Sequence, residues 1–119
     1  MIKKVPIILA IVLSMTANVY AKDIPVIQMK STAYCLKGLT KTETQTRYGI
    51  CAGKDEWLGK IIAVYENNNG KIGKYLGHYV CEDTGGQAIK SGKVLDIWLP
   101  NEQMCKDYGT KDIIAIILE

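Results

Sequence analysis

The sequence predicts a small all-β fold, a six-stranded barrel with one short helix. Three observations carry that expectation. Runs rich in β-branched residues recur at Lys60 to Glu66, Val94 to Leu99 and Asp112 to Leu118. Asn67-Asn68-Asn69-Gly70 is a strong turn signal between two such runs. No apolar pattern is long enough for a helical crossover of the βαβ kind, and a small barrel hides the edges of many short strands.

The elements follow in order. Val26 to Tyr34 alternates loosely between apolar and polar and reads as the first strand. Leu36 to Tyr48 places Thr40, Thr42, Thr44 and Thr46 on alternate positions, which suits an exposed edge strand or a long loop. Gly49 to Gly53 is a compact pivot, and Lys54 to Gly59 a loop. Lys60 to Glu66 is a strand, Asn69-Gly70 a hairpin turn, and Lys71 to Cys81 one or two further strands. Asp83-Thr84-Gly85-Gly86 reads as a turn tight enough to call for two glycines, and Gln87 to Lys93 as a polar connection. Val94 to Leu99 is a strand closed by Pro100. Asn101 can cap a helix over Glu102 to Tyr108, with Gly109 as its stop. The unbroken apolar run of Asp112 to Leu118 suits a strand covered on both faces.

Residues 1–21 read as a secretory signal peptide: Lys3 and Lys4, a short apolar stretch, then Val19-Tyr20-Ala21 at the cleavage point. The apolar stretch is short for a membrane span, so no stable span is expected after processing. Residues 22–119 then form one exported domain, secreted or held in the cell envelope. The formal charge is only +3, Lys3 and Lys4 contribute two of those charges, and no basic cluster tracks a phosphate backbone, so nucleic acid is not an expected partner. Cys35, Cys51, Cys81 and Cys105 all lie in the exported part and read as two disulfides, with the pairing open. No CxxC pair supports a four-thiolate zinc site, and neither metal nor other cofactor is expected.

The residues that bear on chemistry are two carboxylates in unlike settings. Asp83 lies at the glycine turn, where backbone N–H groups can hold it; an Asx-type turn is its plainer reading. Asp96 interrupts the apolar strand Val94 to Leu99 and shares a face with Val94 and Trp98. Burial there would raise its pKa, as a general acid requires. Thr32 and Tyr34, at the end of the first strand, can face the same groove, and Trp57 can offer a sugar-stacking edge. The lone His78 has no nucleophile frame around it and reads as structural or exposed.

Thr32-Ala33-Tyr34, Gly49 to Gly53, Leu58-Gly59, Glu82 to Gly86, Ala88-Ile89-Lys90, Leu95 to Trp98 and Tyr108-Gly109 together resemble the three-aspartate domain of bacterial cell-wall proteins. That family includes stationary-phase survival-type proteins and the core of membrane-bound lytic transglycosylase A. The resemblance implies a double-psi β-barrel and lytic transglycosylase activity on peptidoglycan, with a 1,6-anhydromuramyl product. It implies Asp96 and Asp83 as catalytic acids, and Thr32, Tyr34, Asp55, Trp57 and Lys90 along a glycan-binding groove. Asp55 is the nearest match to the family's third aspartate. The chain departs from the pattern in a longer spacing between Asp83 and Asp96, in Cys81 where a basic residue is usual, and in a shortened block around Lys54. Expected partners are peptidoglycan strands, and a cell-envelope or secretion-apparatus protein is a further candidate. The rival expectation is a non-catalytic module on the same barrel that binds wall glycan or a protein; a small secreted inhibitor or toxin is a third.

Overall fold

The computed structural model describes residues 24–119, so the expected signal peptide lies outside the described residues. Six strands form one mixed sheet: β1 (Val26–Tyr34), β2 (Ile50–Ala52), β3 (Ile61–Asn68), β4 (Lys71–Asp83), β5 (Val94–Trp98) and β6 (Lys111–Leu118). Two α-helices, α1 (Gln87–Lys90) and α2 (Glu102–Tyr108), and a 3-10 turn at Asp55–Trp57 complete the secondary structure.

The expectation of a double-psi barrel with one helix is corrected to this mixed sheet of six strands with two α-helices. The difference begins at Gln87. The stretch read as a polar connection makes one helical turn, started by Gly86 in an extended conformation and closed by Lys90 N–H to the Gly86 carbonyl. Neither Gly85 nor Gly86 has a positive φ, and a Cβ at Gly86 would meet open space. The Asp83 turn therefore does not depend on the conformational freedom of two glycines. The Gly49 to Gly53 pivot also differs: its centre is the buried strand β2.

The hydrogen-bonded order is β1-β5-β2-β4-β3-β6, and β6 pairs back onto β1, so every strand has a neighbour on both sides. β1 runs parallel to β5, and β2 parallel to β4; the other pairings are antiparallel. β3 and β4 form the hairpin that Asn69-Gly70 dictates, Asn69 with φ 54° and Gly70 with φ 89°. β4 is one continuous strand despite Gly73 and Gly77. Asn101 caps α2 by accepting the Met104 N–H at 2.9 Å.

Alternation along the strands builds the core. Met29, Cys51, Ile62, Val64, Cys81, Leu95, Ile97, Ile113, Ala115 and Ile117 pack together, with Trp57 sealing one end. On β5, Leu95 and Ile97 face this core, which leaves Val94, Asp96 and Trp98 on the outer face. Gly53 brings the chain close over the same core, since a Cβ there would stand 2.9 Å from Trp57. Among the described residues, no helix is long and apolar enough to cross a membrane.

Ile62 and Leu95 are fully buried, whereas Ile72 is 52% exposed. Ile62→Ala or Leu95→Ala should lower the unfolding free energy by about 2–5 kcal/mol. Ile72→Ala should change it by no more than about 0.5 kcal/mol. Urea denaturation of the three variants measures the contrast.

Candidate functional site

Register, rather than loop geometry, brings the two carboxylates together. Thr32 on β1 is the partner of Asp96 on β5. Asp96 is the partner of Ala52 on β2, and Ala52 is in turn the partner of Asp83 on β4. Cross-strand partners project to one face, so Thr32, Asp96, Ala52 and Asp83 form a single row across four strands. Asp83 and Asp96 lie two strand spacings apart, about 10 Å between Cα atoms.

A register shift at Ala52 makes the row possible. Cys51 opposes Cys81, but the next residue, Ala52, opposes Asp83, so Glu82 is passed over. Glu82 turns instead to Arg47, which donates from both guanidinium nitrogens at 2.7 Å, and to the Thr44 hydroxyl. The Arg47 hydrogen bonds hold the Glu82 carboxyl below its ordinary range; burial, the next largest effect, opposes them, and the Thr44 bond reinforces them.

The two acids of the row have unlike surroundings. Asp83 Oδ1 accepts the backbone N–H of Thr84 at 3.0 Å and of Lys41 at 3.1 Å, and Oδ2 accepts the Tyr34 hydroxyl at 3.1 Å. The turn contact expected of Asp83 is present, but two of its three donors come from distant parts of the chain. Asp96 accepts one side-chain hydrogen bond, from Thr32 Oγ1 to Oδ1 at 2.8 Å. Burial raises the Asp96 carboxyl above the usual range; Thr32 opposes the rise, and the negative Asp83 adds to it. Burial, then Asp83, also pushes the Tyr34 hydroxyl far above its ordinary value, so it remains a donor. The neighbouring Thr84 hydroxyl is buried without a partner among the described residues.

A cavity of about 230 Å³ opens beside the row, lined by Tyr34, Leu36, Lys37, Gly38, Leu39, Thr46 and Asp83. It reaches Asp83 and not Asp96. A larger cavity, about 290 Å³, is lined by Glu66, Asn67, Asn68, Leu76, Lys111 and Asp112, and neither acid of the row lines it.

Other residues singled out in the sequence lie elsewhere. Trp57 is 3% exposed within the core, with Lys54 Nζ 5.7 Å above its ring, and has no face free for a sugar. Asp55 is exposed in the 3-10 turn, and Lys90 is exposed at the end of α1. Neither makes a hydrogen bond or ion pair with the two acids among the described residues. His78 is exposed on β4, bonded through Nδ1 to the Tyr75 hydroxyl.

The expectation of two disulfides is corrected: Cys35, Cys51, Cys81 and Cys105 are free thiols. They nevertheless meet in twos. Cys51 and Cys81 are cross-strand partners in the core, where the hydrogen bond that the Cys51 thiol donates to Cys81, then burial, pushes the Cys51 thiol up. Cys105 on α2 neighbours Cys35, and burial followed by the charge of Cys35 raises its thiol. No cluster of three or more His, Cys, Asp or Glu side chains suited to a metal occurs among the described residues.

The sequence reading missed the segment that fixes Asp83. Residues 38–47 fold into a small hairpin, bridged at Leu39 and Gln45 and held by the hydroxyls of Thr40, Thr42 and Thr44. The alternate threonines were the available signal. What could not be read is that Glu43, with φ 64°, reverses the chain between them.

Compared with protein-family models, curated proteins and solved structures, the chain matches none of them. The resemblance to the three-aspartate family, and with it the double-psi assignment, is corrected accordingly: the matching short blocks do not amount to a family relationship.

The raised Asp96 carboxyl has a consequence for stability. A carboxyl whose folded pKa exceeds its unfolded value favours folding at low pH, and that contribution is lost as pH rises through the folded value. Asp96→Asn should therefore be more stable than the parent at neutral pH, and the difference should shrink in acid. Thermal melts in the two conditions measure it; an equal difference in both would refute the assignment.

Proposed function

We propose that this is an exported domain whose Asp83–Asp96 row cleaves a glycosidic bond of peptidoglycan by lytic transglycosylation. The observation that carries the reading is the unequal hydrogen bonding of two carboxylates placed on one face. Asp83 has both oxygens engaged by three donors, which hold it in one position beside the row and suit it to a supporting role. Asp96 has a raised pKa and its one hydroxyl donor on Oδ1, which leaves Oδ2 to carry the proton.

With a single proton carrier, the same group serves both halves of the reaction. Asp96 Oδ2 gives its proton to the glycosidic oxygen as the bond from C1 breaks. Positive charge grows on the ring carbon and ring oxygen, where the Asp83 carboxylate would stabilise it. The muramyl C6 hydroxyl attacks C1, and its proton passes to Asp96. The acid is regenerated, no water is consumed, and the product is a 1,6-anhydro sugar. A hydrolase of the two-carboxylate type would need the second acid free to activate water or attack C1, and the donors around Asp83 oppose that.

One observation favours a second reading, a module that binds wall glycan or a protein without cleaving it. The cavity beside the row includes Asp83 and leaves out Asp96. A ligand seated there would be held by Tyr34, Asp83 and the 36–39 segment without meeting the acid.

Digestion of purified peptidoglycan, with mass analysis of the soluble products, separates the two. Anhydromuramyl products are expected from the parent, with a loss of at least about a hundredfold in rate for Asp96→Asn. Absence of such products, or their persistence in that variant, would sink the catalytic reading; sedimentation with the wall but no product would favour binding alone. The pH profile gives a finer check. Thr32 lowers the Asp96 pKa, so Thr32→Val should move the alkaline limb of the rate profile to higher pH. A limb left in place, or moved to lower pH, would show that the limb does not report Asp96.

A further inference from the structure

Among the described residues, the three most exposed large apolar side chains are Leu36 (78%), Leu39 (72%) and Tyr48 (63%). All three lie in the segment that joins β1 to β2 and wraps the outer face beside the acids. Exposure of one such residue needs no explanation, but three on one connection at the rim of a polar row do.

Tyr48 is the best placed of them. Its ring stands perpendicular to Trp98, with centroids 6.0 Å apart, and its hydroxyl points to Met104 Sδ on α2 at 3.8 Å. The ring is thus positioned from two sides while most of it stays open to solvent. Trp98 in turn is fixed by its Nε1–H, which donates to the Leu36 carbonyl at 2.8 Å. Trp98 and Asp96 are two residues apart on the same face of β5, about 7 Å along the strand. Tyr48 therefore lies within the length of a short glycan from Asp96, on the same outer face.

We infer that Tyr48 is the stacking platform of a glycan subsite next to the acid pair, flanked by Leu36. This rests on the glycan reading of the Asp83–Asp96 site and adds where the neighbouring sugar sits. A pyranose ring has an apolar C–H face and a polar rim. A fixed aromatic face, on the same connection as the exposed Leu36 and Leu39 and the cavity's Lys37 and Thr46, matches both parts. Continuity with the acid row favours the same glycan strand as the occupant.

The test uses the Asp96→Asn protein, so that no cleavage intervenes, with purified peptidoglycan strands and a β-1,4-linked N-acetylglucosamine oligomer as probes. Tryptophan fluorescence and the Trp98 indole N–H resonance report binding. Adding Tyr48→Ala should weaken binding about three- to tenfold, the range for one aromatic contact, while Tyr48→Phe keeps it. In the cleavage assay Tyr48→Ala should raise KM and leave kcat nearly unchanged. Undiminished binding by Tyr48→Ala, or an unmoved Trp98 resonance on binding, overturns the subsite and leaves the catalytic reading standing. Failure of the Asp96→Asn protein to bind either probe overturns both. Tyr48 is exposed, so a folding failure in the alanine variant is not expected; its melting temperature checks this.

Discussion

The arrangement depends on three residues of β2 held between two longer strands. Ile50, Cys51 and Ala52 are almost completely buried, and β2 pairs with β4 on one side and β5 on the other. Ala52 is therefore the shared neighbour of both acids, and strand spacing sets their separation. The register shift beside it decides which acid enters. Without the skipped residue, Glu82 would stand opposite Ala52, and Asp83 would lie beyond the row. With the shift, Glu82 is free to pair with Arg47 and Asp83 joins Asp96.

Once the acids share a row, their surroundings divide the work between them. The donors to Asp83 come from the end of β1, from the tip of the 38–47 hairpin and from its own turn. Those to Asp96 reduce to one threonine hydroxyl on the adjacent strand. The loss of water, and to a smaller extent the negative field of Asp83, act on Asp96 in the same direction, toward the protonated form. Tyr34 links the two: its hydroxyl donates to Asp83, and burial with the charges of Asp83 and Asp96 keeps its proton in place.

Much of the strand content was legible because alternation and turn chemistry are local. The hairpin at Asn69-Gly70, the face shared by Asp96 and Trp98 and the capped helix at Asn101 all follow from short stretches of sequence. Asp83 and Asp96 were legible as a pair of acids in different settings. Their alignment was not, since it depends on a register shift between strands far apart in sequence. Helix α1 was hidden because Gln87 to Lys90 is too short to show a period. Trp57 was misplaced for a related reason: a tryptophan beside charged residues looks like a surface residue, and only the tertiary fold shows it closing the core. The cysteines show the limit of counting. An even number in an exported chain suggests bridges, whereas the structure places the thiols in neighbouring twos and leaves them reduced. The family resemblance rested on a series of short Gly- and Asp-containing blocks, and no family model matches the chain.

The connection between β1 and β2 ties the acid row to its rim. Its Lys41 N–H holds Asp83, its Leu36 carbonyl holds Trp98, and its far end presents Tyr48. The Arg47–Glu82 pair and the Thr42 N–H to the Glu82 carbonyl clamp the same segment onto β4. The position of Asp83 and the exposure of the apolar rim are thus set by one docking event. A segment that came away would remove a donor from Asp83 and scatter the rim residues together. That coupling argues against treating the acids and the exposed side chains as separate features. The three threonine hydroxyls inside the hairpin bond mainly to one another, and their work is to keep the segment folded so that its two ends can act on the same face.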